Sequence, residues 1–317
     1  MKQRRGDTET RRHGDRKAGL RVSASVRRRS DGSTSKSRTR SPRHGVPTSP
    51  RPPSAPITLL TDFGSSDYFV GVMKGVILSV NPDARIVDIT HEIPPHDIAG
   101  AAFTLSVACR SFPAQTIHLS VVDPGVGSAR RPILVMAGEQ FFVGPDNGIF
   151  SYVIEGEARA HVVHLTNPKY FQHPVSDTFH GRDIFAPVAG ALSNGVTAAE
   201  LGTEIDDYVR LEPLAPDKLG KGKLGARIIH IDRFGNCVTN LTKEVLTPEM
   251  IRDGAQLTLN GKTIKAFRRF FSDKGDNDQM LFAVWGSAGF LEVAATNRSA
   301  AKLLKARRGQ RVLVSTY

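Results

Sequence analysis

Between residues 57 and 213 the chain alternates short apolar runs with longer stretches of helical spacing, and past residue 225 the alternation stops. ITLLTDFG (57–64) reads as a buried strand, and ARIVDIT (84–90) and TIHLSVV (116–122) as a second and a third strand. DYFVGVMKGVILSVNP (67–82) and DIAGAAFTLSVACRSF (97–112) space their apolar residues as helices do, and Asp67 is placed to cap the first. PILVMAG and QFFVG (132–144) are further strands closed by Pro145-Asp146-Asn147-Gly148, and NGIFSYVIE (147–155) and GRDIFAPVAGALSNG (181–195) are further helices. Strands that alternate with helices bury both faces of their sheet, which predicts an α/β domain with a largely parallel sheet covered by helices. LAPDKLGKGKLG (214–225) reads as a linker. The remainder, 226–317, is short β segments, with Asn260-Gly261 between two alternating runs as a hairpin signal, and predicts a small all-β barrel-like domain.

The formal charge of +12 says nothing about that body. Residues 1–56 hold 16 Lys and Arg against 4 Asp and Glu, which is the whole excess. The segment is Arg, Ser, Pro and Gly with few large apolar residues, so it cannot offset the entropy of ordering and is expected to be a disordered tail. A polyanion-binding arm and an Arg- and Ser-rich leader are the competing readings. The absence of interleaved aromatics favours an inert extension over nucleic-acid contact. Cys109 and Cys237 show neither metal spacing nor a disulfide framework, and no apolar run is long enough to span a membrane. A cytoplasmic protein without a metal or resident cofactor is the expectation.

Four segments carry chemistry. VVDPGVGSARR (121–131) ends an apolar run on Asp123, turns at once through Pro124-Gly125-Val126-Gly127, and presents Arg130 and Arg131. Pro fixes φ and glycine reaches angles other residues pay for, so such a turn holds a carboxylate and a guanidinium in fixed relation at a sheet's rim. At Asp62 and Asp67, flanking a Gly-Ser-Ser turn, a carboxylate could accept two hydrogen bonds from a vicinal diol, with a strand end and a helix cap as the plain alternative. SDTFHGRDIFAP (176–187) sets Phe179 and His180 just ahead of a helix. IDRFGNCVTN (231–240) joins Asp232, Phe234 and Asn236 in one tight turn, where Asn can read a purine edge and Phe can stack on its face. WGSAGFLEVA (285–294) adds Ser287 in a Gly-containing turn.

Taken in order, TDFGSSDYFVGVMKG, VVDPGVGSARR, PDNG, TFHGRDIFAPVA, IDRFGNCVTNL and GSAGFLEVA resemble the S-adenosyl-L-methionine (SAM) hydroxide adenosyltransferases, or SAM hydrolases, relatives of fluorinase and chlorinase. The resemblance spans about residues 57–317. It implies an α/β domain joined to a β-barrel-like domain, and a homotrimer with each ligand held between subunits. It implies hydrolysis of SAM, as substrate, to adenosine and L-methionine by water or hydroxide at ribose C5′. Asp123, Arg130 and His180 would position and activate the water. Asp62 would hold the ribose hydroxyls, Phe179 and Phe234 would line the adenosine site with Phe271 beside the adenine, and Asn236 would read adenine. Asp232 and Ser287 would hold the methionine end.

The same resemblance weighs against halogenation. Fluorinases carry Tyr at 123, Thr at 126 and Ser at 181, where this chain has Asp123, Val126 and Gly181. Gly181 alone would suit a chlorinase, but a carboxylate at 123 repels any halide in a dry site. The fluorinase Arg after Ser287 is Ala288 here. A non-catalytic adenosine-binding protein is the other alternative, and it would not need the Asp-Arg-His set.

Overall fold

A computed structural model describes residues 55–157, 159–273 and 280–316, so the basic segment lies outside the described residues apart from Ala55 and Pro56. Seven strands form the first sheet: β1 Ile57–Thr61, β2 Ile86–Thr90, β3 Ile117–Val121, β4 Pro132–Ala137, β5 Gln140–Pro145, β6 His161–Leu165 and β7 Gly202–Ile205. Their order is β2-β1-β3-β5-β4-β6-β7. β2, β1, β3 and β5 run parallel, and the antiparallel pairs β5·β4, β4·β6 and β6·β7 leave five of the seven strands pointing one way.

Successive residues of β1 serve opposite faces. Leu59 packs with Met73 and Ile77 of helix α1 (Phe69–Val80), while Leu60 packs with Ala101 and Leu105 of helix α2 (Ile98–Ala108). A further helix, Ala186–Ser193, joins α1 on its face, so both faces of the sheet are covered. The chain leaves β1 for β2 through α1 on one face and returns to β3 through α2 on the other. This makes the carboxyl ends of β1 and β3 the point where the winding direction reverses, the usual crevice for ligands in such sheets.

The second sheet has nine strands and is built almost entirely of antiparallel pairs. Register shifts next to Val238 on both sides of the strand Cys237–Thr242 bend it into a half-barrel around Ile228, Leu257, Val293 and Val312. Asn260 and Gly261, at φ 48° and 74°, turn between Gln256–Leu259 and Lys262–Ile264 as the Asn-Gly signal requires. Phe103 of α2 inserts against Ile229 and Val238 and joins the two sheets.

Within 214–225, Asp217–Gly220 pairs antiparallel with the start of the strand Lys223–Ile231. Gly220 and Gly222 supply the left-handed turn, and a Cβ on Gly222 would meet the Thr316 carbonyl oxygen at 2.5 Å. One local expectation is corrected: Asp67 does not cap α1. The cap position falls on Tyr68, whose side chain makes no capping bond.

Candidate active site

Asp62 and Asp123 leave the ends of adjacent parallel strands, since Thr61 of β1 lies beside Val121 of β3. The turn after Asp123 closes on itself, with Val126 N–H donating to the Asp123 carbonyl at 3.2 Å and Ser128 N–H to Gly125 at 3.1 Å. Gly127 sits at φ 76°, and a Cβ there would stand 2.3 Å from the carbonyl oxygen of Asp177. Glycine is therefore what lets this turn press against the loop that carries His180.

The turn delivers Arg130 onto Asp123 as a fork. Nε donates to Oδ1 at 2.9 Å and Nη2 donates to Oδ2. The side chains are 8% and 6% exposed, so the pair is buried, and the Phe185 ring lies 5.2 Å from the guanidinium carbon. The same Nη2 lies 2.7 Å from Nδ1 of His180. Nη1 is buried and has no partner among the described residues. His180 stands at the head of a single π-helical turn, Gly181–Phe185, a wider winding often found where a side chain is presented for function. Burial, and then the charge of Arg130, holds its pKa below the ordinary 6.5. A guanidinium cannot accept, so His180 accepts at Nδ1 and its Nε2 carries the proton of the neutral ring.

Asp62 is held from behind. Its Oδ2 accepts from the backbone N–H of His96 at 2.9 Å, and His96 reaches that position in a left-handed conformation, φ 66°. The strand end before it is tied down by Thr61 Oγ1, 2.9 Å from His91 Nδ1, with His91 Nε2 3.1 Å from Asp88 and Lys74 donating to Asp88 at 2.7 Å. Asp67 is exposed on the loop toward α1. Phe179 is 8% exposed and packs edge-on against Phe63 and Phe69, so most of its ring belongs to the core beneath the site.

The remaining candidates converge on the second sheet. Asp232, Phe234, Asn236, Phe271 and Ser287 all line one cavity of about 910 Å³. Asp232 receives both the backbone N–H and the side-chain amide of Asn236 at 2.8 Å, which leaves the amide oxygen of Asn236 as an acceptor. Phe234 is 79% exposed and Phe271 is 51% exposed. None of the residues around Asp123 lines this cavity. The candidate residues thus fall into two separate groups on one chain.

Two contributors escaped the sequence reading. The His96 amide donor had no signal in its side chain. Glu292 had one, since it is the only charge in the apolar strand Phe290–Ala295, and it lines the same cavity.

Comparison with known proteins matches the two sheets to two domains of one family. Residues 57–202 match the model of the SAM hydroxide adenosyltransferase N-terminal domain, and residues 226–313 match that of its C-terminal domain. An (R)-S-adenosyl-L-methionine hydrolase of Methanocaldococcus jannaschii is 36% identical over 78% of this chain and 91% of its own length. A fluorinase of Actinoplanes is 27% identical over 64% of this chain and 77% of its own. A crystal structure of an uncharacterized conserved protein from Thermotoga maritima superimposes with a TM-score of 0.75 at 35% identity, covering 82% of this chain and 99% of that one. With residues 57–202 and 226–313 matched by the models of that family's N- and C-terminal domains, the chain belongs to the SAM hydroxide adenosyltransferase family.

Proposed function

We propose that this protein hydrolyses S-adenosyl-L-methionine to adenosine and L-methionine. The observation that carries the reading is the buried Nη1 of Arg130, a charged donor with no partner among the described residues, beside Asp123 and His180. A hydroxide-like oxygen is the complement of that corner. Arg130 Nη1 and the Nε2–H of His180 each donate to it, and Asp123 holds the guanidinium in place. The oxygen forms a bond to ribose C5′ while the C5′–S bond breaks. The sulfonium takes that electron pair and leaves as the neutral thioether of methionine, so no acid is needed at the leaving group. The water's proton leaves to solvent as the nucleophile forms, because Nδ1 of His180 is already occupied by Arg130. Placing and desolvating the nucleophile is the main catalytic work.

The two half-sites are completed by a second copy of the chain. Asp62 takes the ribose hydroxyls from one copy, while Asn236, Phe234 and Phe271 take adenine and Asp232 and Ser287 take the methionine end from the next. A head-to-tail contact of this kind closes into a ring, here a trimer. Residues 57–213 and 226–317 act as the two domains, joined through the 217–225 hairpin. Halogenation is disfavoured by the carboxylate of Asp123, buried beside Arg130, which repels a halide in a dry site. Cys109 and Cys237 are buried free thiols, which suits the reducing cytoplasm.

The deciding experiment incubates the full chain with S-adenosyl-L-methionine, with and without excess chloride, and separates the products by chromatography. Adenosine and methionine in equal amounts, indifferent to chloride, are expected. A 5′-chloro nucleoside would make the site a halogenase, and binding without turnover would leave only an adenosine-compound binder.

A further inference from the structure

We infer that Asp146 and Asn147 are positioning residues for the fork of Asp123 and Arg130, clamping both ends of the turn that carries it. On the reading of the chain as a SAM hydrolase, which this inference rests on, the fork holds the nucleophile. The turn leaves β3 at Val122 and enters β4 just after Arg131. Fixing both ends of such a loop narrows the motion of the side chains between them. Both fixing bonds come from one dipeptide, in the turn Pro145-Asp146-Asn147-Gly148 after β5. Asn147 Nδ2 donates at 2.8 Å to the carbonyl of Val122, the peptide that leads into Asp123. The backbone N–H of Asp146 donates at 2.9 Å to the carbonyl of Arg131, the residue next to Arg130.

The side chain of Asp146 holds Arg131 a second time. Its Oδ2 accepts from Arg131 Nε at 3.0 Å and from Nη2 at 2.7 Å, and its Oδ1 accepts from the backbone N–H of Val209 at 2.8 Å. Arg131 Nη1 donates to Asp207 at 2.7 Å. The two adjacent arginines are thereby sorted: Arg131 is taken up by Asp146 and Asp207, and Asp123 is left to Arg130 alone. Asn147 is oriented as well, since its Oδ1 accepts from the backbone N–H of Ile149 at 3.2 Å and Nδ2 is turned toward Val122. Asp146 is 3% exposed at its side chain. A carboxylate so deeply buried in an ion pair returns little net stability, whereas fixing the backbone beside Arg130 gives it a use in the reaction. Neither residue hydrogen-bonds the side chain of Asp123 or Arg130, so both act through the backbone on either side of the fork.

The test uses the full-length protein with Asn147→Ala and Asp146→Asn, and Ser151→Ala as the control. Ser151 Oγ donates to Gly148 at 2.7 Å and accepts from Leu211 at 2.8 Å, so its loss loosens the same neighbourhood without touching Val122 or Arg131. Asn147→Ala and Asp146→Asn should each lower kcat for S-adenosyl-L-methionine by roughly tenfold to a hundredfold, with calorimetric affinity for adenosine unchanged. Ser151→Ala should lower the melting temperature and leave kcat alone. Added to Arg130→Lys, which already breaks the fork, Asn147→Ala should cost kcat nothing further. Wild-type kcat in either variant, an equal loss of kcat in Ser151→Ala, or losses that multiply in the double variant would overturn the inference. The imidazole of His180, titrated by NMR, gives a readout that needs no turnover. Burial and Arg130 hold its pKa below 6.5 against the opposing charges of Asp123, Asp183 and Asp177. An Arg130 released from its place should let that pKa rise in Asn147→Ala, and an unmoved value would overturn the inference. A wild type that binds S-adenosyl-L-methionine without turning it over would end the hydrolase reading, while the titration would still decide this one.

Discussion

Nη2 of Arg130 lies 2.7 Å from Nδ1 of His180, and since a guanidinium only donates, that contact decides which imidazole nitrogen holds the proton. The histidine is thereby a donor toward the site. The arrangement distinguishes shape from charge, which leads to the first prediction. Arg130→Lys keeps the charge and loses the fork that reaches Asp123 and His180 together. His180→Asn keeps an acceptor near Arg130 and loses the Nε2–H. Each is expected to lower kcat by about 10²- to 10³-fold, the range for losing one donor aimed at the reacting oxygen. Circular dichroism should show the fold intact. Near-normal turnover in both variants would remove the trio from the mechanism.

Turnover should fall on the acid side. His180 is neutral at pH 7 because burial and the charge of Arg130 disfavour the imidazolium. As pH drops through that lowered pKa, Nδ1 gains a proton facing Arg130 and the contact breaks. The profile of kcat should therefore be flat near neutrality, with its acid limb centred below the ordinary 6.5. Arg130→Gln, which removes the neighbouring charge, should move the inflection upward in whatever residual activity remains.

Stability should also decline toward acid, for a reason elsewhere in the sheet. His118 is fully buried, 2.7 Å from Thr58 Oγ1 and stacked on Phe142, and burial pushes its pKa down to about 4. The unfolded chain takes up that proton near pH 6.5 and the folded chain only near 4, so folding loses stability as pH falls across that window. The loss from this residue is about 3 kcal/mol. Urea midpoints measured from pH 7 to 4 should fall steeply for the wild type and more gently for His118→Asn. Parallel curves would assign the acid sensitivity to other groups.

Gly127→Ala should damage the site from outside it. The new methyl group would meet the Asp177 carbonyl at 2.3 Å in a backbone at φ 76°. Left-handed strain and the clash together cost about 1–3 kcal/mol. The same clash pushes the 124–127 turn off the loop that bears His180, so turnover should drop much further than the melting temperature does. Kinetics and a thermal melt on one preparation would check this.

Phe234→Ala tests the other half-site. The ring is 79% exposed in the single chain, so its loss should leave the melting point of that chain unchanged. If it stacks on the adenine of a ligand shared with a second copy, KM should rise by the equivalent of about 1–3 kcal/mol. An unaltered KM would take Phe234 out of the site.

Local chemistry was legible in the residues. The change of period near residue 213, the Asn-Gly hairpin and the forced turn after Asp123 each depend on neighbours a few positions away, and each is present in the fold. The strand His161–Leu165 and the 217–225 hairpin were not legible. The first is interrupted by His161 and His164 and offers no continuous apolar run, and the second reads as a Lys-Gly linker until a partner strand lies beside it. For the chemistry, sequence determined which side chains were available: a carboxylate at a strand end, a guanidinium seven residues on, a histidine ahead of a helix. Tertiary structure decided what they do. It brought Arg130 to His180 across 50 residues, gave Asp62 a backbone donor from His96, sank Phe179 into the core, and left Glu292 against Gly286. The physical reason is range. Backbone preferences act over a few bonds, whereas burial, pKa and hydrogen-bond partners are properties of a place in space, and that place exists only once both sheets have formed.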